Sequence, residues 1–210
     1  MTEYKILIRA GEGRIEEKKS RFIATLRSVE SEEEANAFIA EMKKKYWDAR
    51  HNCSAFVIGS GAELTRCSDD GEPAGTAGRP MLEVLLGSGV RNVAVVVTRY
   101  FGGTLLGTGG LIRAYTAAVQ EGLASSGVGV RYSGKRLRLI TDYTDIGKVL
   151  YILGNHGLEP SGSEYGADVR LEIPVSEEIL PGLRTELTEG TAGRIRMEEG
   201  DPEWFLREEP

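Results

Sequence analysis

The chain has 210 residues, of which 40% are hydrophobic and 28% charged, and its formal net charge is −6 at pH 7. This composition is that of an ordinary globular protein with one large domain or two modest ones. No segment reaches the roughly eighteen uncharged apolar residues of a membrane span, and the charged opening of the chain lacks the apolar core of a signal peptide. We therefore expect a cytoplasmic protein with no membrane partner.

Cysteine spacing and charge distribution limit the kinds of metal site and binding partner that the sequence predicts. Cys53 and Cys67 are the only cysteines, and without CxxC spacing or a histidine pattern they predict two reduced thiols rather than a metal site. Residues 1–133 hold 17 Lys+Arg against 16 Asp+Glu, whereas residues 134–210 hold 9 against 16. The acidic balance argues against a uniformly basic nucleic-acid clamp, but residues 73–131 are locally positive and suit an anionic partner.

The first part of the chain mixes strands and helices. Ser31, followed three residues later by Glu34, is a capping box and predicts a helix over residues 32–46. A hairpin with its turn at Gly11–Gly13 is expected before this helix. Thr76 is expected to cap a second helix, and a third is expected to begin near Gly109 or Gly110. The remaining predicted elements are strands at 3–10, 13–29, 53–59, 63–70 and 92–97, the second helix at 76–89, and the end of the third at Gly127.

A change in composition near Gly127 and Gly129 introduces a second unit. Its pattern predicts a strand, a helix, two strands, a helix and a last strand, which is the ferredoxin-like βαββαβ order. The predicted ranges are 137–142, 146–157, 159–166, 168–175, 178–190 and 194–199. The sequence therefore predicts an α+β protein with domains at 1–133 and 134–204 and a loosely held tail at 205–210.

A glycine-rich loop follows the apolar strand ending near residue 97 and contains five glycines within residues 102–110. Glycine tolerates positive φ and lets backbone N–H groups converge on an anion, and a following helix adds its own free N–H groups. Arginines on both sides and two aromatic side chains suit phosphate and base. The predicted nucleic-acid or anion-binding residues are Arg99, Tyr100, Phe101, Gly102, Gly103, Gly107, Gly109, Gly110 and Arg113.

Another interpretation of the loop is structural. The glycines could serve close packing against neighbouring strands, with the aromatic rings buried and Arg113 paired with an acid. The loop lacks the Gly-Lys-Ser/Thr of a Walker A motif and the third glycine and downstream acid of a dinucleotide-binding fold. A P-loop or Rossmann enzyme is therefore not predicted.

The acidic turn of Asp69, Asp70 and Glu72 is predicted to support this surface by holding arginines. Mg²⁺ binding is the weaker interpretation, because short side chains in such a turn more often accept backbone N–H groups. Further surface candidates are Arg50, His51 and Arg79. No catalytic residue, metal or cofactor is predicted, since His51 and Cys53 have no evident third partner.

Four segments resemble the YigZ/IMPACT family: KKSRFIA at 18–24, DARHNCSAFVIG at 48–59, SDDGEPAGTAGRPMLEVL at 68–85 and NVAVVVTRYFGGTLLGTGGLIRAY at 92–115. The resemblance implies an N-terminal βαβ domain like those of ribosomal proteins and elongation factors, followed by the ferredoxin-like domain of bacterial members. Arg50 stands where the family usually has a small residue. The family also implies a role near translation, since eukaryotic members regulate the kinase response that controls initiation and bacterial members have been proposed to bind nucleic acid.

These observations lead to one expected function and two alternatives. We expect a non-enzymatic protein that binds RNA or a ribosome-associated partner through the arginines and loop amides of its N-terminal domain. A small-molecule enzyme acting on a phosphorylated metabolite or nucleotide is the first alternative, with the acidic turn holding Mg²⁺. A protein-protein adaptor with a purely structural glycine loop is the second.

Overall fold

The computed structural model describes residues 3–208. They form two compact units, one made of residues 3–131 with 207–208 and the other of residues 132–206. The elements of the first unit are β1 (Glu3–Leu7), β2 (Gly11–Glu17), β3 (Ser20–Ser28), α1 (Glu32–Lys45), β4 (His51–Ile58), β5 (Leu64–Ser68), α2 (Gly78–Ser88), β6 (Val93–Tyr100) and α3 (Gly107–Ser126). Strand β7 (Val128–Thr141) begins in this unit and continues into the second.

The first unit is built on a five-stranded sheet in the order β2-β3-β6-β4-β5, in which every pair of neighbours is antiparallel. The central strand β6 is buried on both faces, as its unbroken run of valines predicts. Val95 packs into the cluster formed with α2 and α3, whereas Val96 packs into the cluster formed with α1. The sheet therefore lies between α1 on one face and α2 and α3 on the other.

The predicted hairpin turn at Gly11–Gly13 is wrong, because both glycines lie inside β2. They are needed there for close approach to α3: a Cβ on Gly11 would lie 2.5 Å from the carbonyl oxygen of Gly122, and one on Gly13 would lie 2.3 Å from the Gly122 nitrogen. The hairpin instead joins β2 to β3, with Glu17 paired to Ser20 across a two-residue turn.

The first helix begins as its sequence predicts. The Ser31 hydroxyl accepts a hydrogen bond from the Glu34 N–H at 3.2 Å, and the Glu34 carboxylate accepts one from the Glu30 N–H at 2.8 Å. Helix α2 differs, because Thr76 donates its hydroxyl to the Pro73 carbonyl at 2.7 Å and does not cap. Asp69 satisfies the first N–H groups of that helix instead, from the preceding turn.

The second unit has the predicted βαββαβ order. After β7 come α4 (Ile146–Asn155), β8 (Gly162–Tyr165), β9 (Val169–Ser176), α5 (Leu180–Gly190) and β10 (Arg196–Glu208). Strand β9 pairs with both β7 and β8, and β10 pairs with β7. The two helices cover one sheet face, where Leu139, Leu153 and Leu183 are among the fully buried side chains. The ferredoxin-like fold class is confirmed.

Residues 205–208 of the expected tail belong to β10, so this part of the chain is regular structure. Residues 209 and 210 of that tail, and residues 1 and 2 of the predicted first domain, lie outside the described residues. Across residues 3–208, no helix is both long enough and apolar enough to span a membrane.

Candidate functional site

The predicted site residues meet at one edge of the first sheet, where β6 ends and β3 and β4 begin. Arg21 of β3 lies opposite Tyr100, and His51 of β4 lies opposite Arg99. The glycine-rich loop leaves the sheet at this edge, and the acidic turn also reaches it, since a Cβ on Gly71 would lie 3.4 Å from the His51 ring. The fold therefore brings the two motifs of the sequence to the same place.

Arg99 faces the interior and not the solvent. Its Nη1 donates to Glu72 Oε1 at 2.6 Å, and the two side chains are only 7% and 3% exposed. The same carboxylate oxygen accepts the Tyr115 hydroxyl at 2.8 Å, and the Cys53 thiol donates to that hydroxyl at 3.2 Å. Removing one partner of a buried ion pair destabilises a protein, because the other charge is left buried without compensation. Arg99 thus fixes the acidic turn against β6 and is not a surface phosphate contact.

The other acids of the turn are also engaged within the protein. Asp69 accepts hydrogen bonds from the N–H groups of Gly75, Ala77 and Gly78 at 2.8 to 3.0 Å. Burial opposes ionisation of Asp69, but these hydrogen bonds outweigh it and lower the pKa of the carboxyl group. The carboxylates therefore organise the turn and the start of α2.

Asp70 connects the turn to α1 and β4. It accepts hydrogen bonds from Lys43 Nζ at 2.6 Å and from the Asn52 N–H at 2.7 Å. Burial raises the pKa of Asp70, and the Lys43 and Asn52 hydrogen bonds more than reverse that effect, so the pKa is lowered overall. No group of three metal-ligating side chains is found within residues 3–208.

The glycines of the loop fall into two groups. Gly102 and Gly110 serve packing: a Cβ on Gly102 would lie 2.1 Å from the Lys19 carbonyl carbon, and one on Gly110 would lie 2.9 Å from the Leu106 Cβ. The Gly102 N–H is also taken, because it donates to Ser20 Oγ at 3.1 Å. The structural interpretation of the loop therefore holds for Gly102 and Gly110.

The second group of glycines is open to solvent. Gly103 and Gly107 have φ values of 88° and 72° and nothing within 4 Å of a Cβ position, while Gly109 has only the Arg113 guanidinium within that distance, at 3.5 Å. Helix α3 begins at Gly107, two or three residues earlier than expected, and has no side-chain cap. The first N–H groups of a helix have no intrahelical acceptor, so this helix start can bind an anion.

The two aromatic residues of the loop differ in accessibility. Tyr100 donates its hydroxyl to Asp48 Oδ1 at 2.8 Å, and the Arg21 guanidinium lies 4.8 Å from the centre of its ring. Burial and the Asp48 hydrogen bond raise the pKa of Tyr100. Phe101 is 46% exposed, with Arg99 5.7 Å from its ring centre. Of the two rings that were expected to stack on bases, Phe101 is the more accessible.

The three remaining arginines of the sequence prediction lie on the surface, whereas His51 is half-buried. Arg50 and Arg113 are exposed, and within residues 3–208 neither has a carboxylate partner. Arg79 is also exposed, but its Nε donates to Glu83 at 2.8 Å one helical turn away. His51 points its Nδ1 at the Asp70 carbonyl, 2.8 Å away, and so donates within the acidic turn.

Three further cations, Lys18, Lys19 and Arg21, were missed by the sequence prediction. Lys18 and Lys19 form the two-residue turn between β2 and β3, with φ values of 47° and 65°. Turns of this kind favour Asn-Gly, because positive φ is unfavourable for a residue with a Cβ. The sequence lacks that signal, so the only hint was a pair of lysines before a strand. Both side chains are exposed.

Arg113 belongs to the same edge as these lysines. Gly13 of β2 packs against Ala118 and Gly122 of α3, so the helix runs along β2 with its first turns directed towards the Lys18–Lys19 turn. Arg113 lies five residues before Ala118, which is about 7.5 Å along the helix axis in that direction. We define the basic edge as Lys18, Lys19, Arg21, Arg50 and Arg113; none of these five has a carboxylate partner in the described part of the chain.

The chemistry of the interior does not favour covalent catalysis. Burial raises the pKa of the Cys53 thiol to about 12, and a thiol that stays protonated at neutral pH is a poor nucleophile. Burial likewise raises the pKa of the Tyr115 hydroxyl, with the neighbouring Cys53 and Glu72 adding to the shift. These groups form a hydrogen-bonded core in which Arg99, Glu72, Tyr115 and Cys53 are bound to one another.

Comparison with known proteins identifies the relatives of the chain. Residues 18–123 match the Impact N-terminal domain, and residues 139–194 match a domain of unknown function, DUF1949. The chain belongs to the IMPACT family. It is 44% identical over 192 residues to the IMPACT family member YvyE of Bacillus subtilis (strain 168), a match that covers 91% of this chain and 88% of that protein.

Other IMPACT proteins match over different lengths. The IMPACT family member YigZ of Escherichia coli (strain K12) is 36% identical over 182 residues, covering 86% of this chain and 89% of its own. Protein IMPACT-B of Xenopus tropicalis is 37% identical over 129 residues, covering 57% of this chain and 40% of its own. A crystal structure described as that of an hypothetical protein has a TM-score of 0.61 at 35% identity, with 94% of this chain and 97% of that chain covered.

Proposed function

We propose that this IMPACT-family protein is a non-enzymatic RNA-binding protein that contacts the phosphate backbone through the basic edge. The observation that carries the proposal is a set of five exposed cations that have no carboxylate partner within residues 3–208. Four of them lie at or beside strand ends at one edge of the first sheet, and Arg113 lies in the second turn of the uncapped helix α3. Lys and Arg that neutralise phosphates release counterions and supply most of the affinity of nonspecific nucleic-acid binding. A translation-related role, which the family resemblance implies, agrees with this activity.

The distribution of acidic groups supports an anionic ligand at this place. Glu72 and Asp70 are paired with Arg99 and Lys43, and Asp69 accepts hydrogen bonds from backbone N–H groups, so these three carboxylates are engaged within the protein. Glu16 and Glu17 at the end of β2 are exposed and oppose an anion at the turn of the hairpin. Asp48, which accepts the Tyr100 hydroxyl, is a third exposed carboxylate at this edge. The five cations of the basic edge outnumber these three exposed carboxylates, and the first N–H groups of α3 add donors without charge.

Salt-dependent binding tests the proposal. We would measure fluorescence anisotropy of a labelled short oligouridylate between about 50 and 200 mM salt, with wild type beside the triple variant Lys18→Ala/Arg50→Ala/Arg113→Ala. Each lost phosphate contact lowers the slope of log affinity against log salt by about 0.7 for a single strand, so the triple variant is expected to lose about 2 from the slope.

A matched control separates the basic edge from overall charge. Arg14, Arg27 and Arg79 are exposed arginines of the same unit, each paired with a glutamate. Replacing these three by alanine removes the same net charge but no unpaired cation, so the slope should stay close to that of wild type. Equal losses in both triple variants would contradict binding at the basic edge.

The enzyme alternative makes a different prediction. A protein that acts on a phosphorylated metabolite should be stabilised by its nucleotide or sugar ligand, because any ligand of the native state raises the melting temperature. We expect the oligouridylate to raise the melting temperature and ATP with Mg²⁺ to leave it unchanged. The reverse result would favour the enzyme.

A further inference from the structure

Trp47 is the largest exposed apolar side chain near the basic edge. It is 81% exposed, although a tryptophan is normally buried over most of its surface. It is also separate from the residues that the sequence prediction selected. Within residues 3–208 its indole makes no hydrogen bond or ring contact. No contact within the described part of the protein therefore accounts for a tryptophan at this position.

The backbone beneath Trp47 is held firmly. The Ala49 N–H donates to the Tyr46 carbonyl at 3.0 Å and closes a turn whose tip is Trp47. The next residue, Asp48, accepts the Tyr100 hydroxyl at 2.8 Å, which ties this turn to the end of β6. The indole is therefore presented to solvent from a fixed base, about one Cα–Cα step of 3.8 Å from the residue bound to Tyr100.

The same hydrogen bond places Trp47 among the cations of the basic edge. Arg21 covers the ring of Tyr100, and Arg50 follows Trp47 by three residues. Phe101, the next residue after Tyr100, is also exposed. Tyr100 is thus occupied, while exposed rings and unpaired cations lie around it.

We propose that Trp47 is a stacking platform for an unpaired base, so that the basic edge binds single-stranded RNA in preference to duplex RNA. This inference rests on the proposed RNA-binding function. Aromatic rings interleaved with cations are the recurrent means of holding single strands, because every unpaired base offers a flat face. The bases of a duplex are stacked on each other and offer no such face, so duplex RNA would contact only the cations.

The chain offers a direct reporter for this contact. Trp47 and Trp204 are its two tryptophans, so Trp204→Phe leaves the fluorescence of Trp47 alone. In that full-length variant, a short unlabelled oligouridylate should quench the fluorescence, with the same midpoint that anisotropy gives for the labelled strand. Quenching by stacking requires the base to contact the indole, which a purely phosphate-bound strand does not do.

Substitution supplies the second readout. Trp47→Ala should weaken oligouridylate binding roughly tenfold, the typical effect of losing one stacked base, and should leave binding to a blunt RNA duplex unchanged. Trp47→Phe should restore most of the lost affinity. Tyr151 of α4 is another exposed aromatic residue, and Tyr151→Ala is the matched control, expected to change neither affinity.

The outcomes separate this inference from the function on which it rests. Anisotropy that shows binding without quenching, and without loss in Trp47→Ala, would overturn the stacking role and leave RNA binding intact. Equal weakening of single-strand and duplex binding by Trp47→Ala would also overturn it. Failure of wild type to bind either RNA at low salt would overturn the proposed function itself and leave Trp47 as a contact for another partner, such as a protein.

Discussion

Replacing Arg99 by methionine should destabilise the first unit rather than weaken a ligand contact. The substitution keeps an apolar stem between the rings of Phe22 and Phe101, which lie 5.5 and 5.7 Å from the guanidinium carbon. It leaves the Glu72 carboxylate, whose side chain is 3% exposed, without its positive partner. Breaking a buried pair in this way costs about 3–5 kcal/mol, a large part of the total stability of a domain.

The assay is urea unfolding followed by far-ultraviolet circular dichroism at neutral pH. The double variant Arg99→Met/Glu72→Gln removes both charges and keeps an acceptor for Tyr115, so it should regain at least half of the lost stability. Arg79→Met breaks an exposed pair and should leave the urea midpoint unchanged. A loss below about 1 kcal/mol for Arg99→Met, or a double variant no more stable than the single one, would refute the reasoning.

Three other predictions concern neighbouring groups. Because the pKa of Asp70 is lowered, its ionised form stabilises the fold above the ordinary pKa of an aspartate, and this contribution is lost as the pH falls through the lowered pKa. The melting temperature of Asp70→Asn should therefore fall less than that of wild type below about pH 4. The same acid profile in variant and wild type would count against this. Cys67 is exposed, whereas Cys53 is buried and has a raised pKa. A thiol reagent should therefore modify one cysteine quickly in the native protein and two after unfolding. Fast modification of both cysteines in the native protein would contradict the buried network. Glu17→Gln should tighten oligouridylate binding in an anisotropy titration, since it removes a carboxylate beside the Lys18–Lys19 turn; unchanged affinity would place the strand elsewhere.

Local signals in the sequence predicted most of the fold. The capping box at Ser31, the apolar run of β6 and the βαββαβ order of the second unit all depend on neighbouring residues. Gly11 and Gly13 misled the prediction, because their reason lies in α3, more than a hundred residues away. A turn signal and a close-packing requirement use the same residue type, and the sequence alone does not distinguish them.

The candidate site was predicted only in part for the same reason. The glycine loop and acidic turn meet as their charges suggest, but the pairing of Arg99 with Glu72 depends on the register of β4 and β6. Nothing within either motif shows that this arginine is buried while Arg113 is exposed. Lys18 and Lys19 were missed because their hairpin turn lacks the usual glycine or asparagine.

The central claim is that RNA binds at the basic edge, and backbone amide shifts of the ¹⁵N-labelled full chain test it most directly. Titration with a short oligouridylate should move the amide signals of Lys19, Arg50, Gly103 and Gly109, with the shifts lost in the triple variant Lys18→Ala/Arg50→Ala/Arg113→Ala. Signals of the second unit, such as Leu153, should stay in place. Shifts confined to the second unit, or none at low salt, would contradict the account.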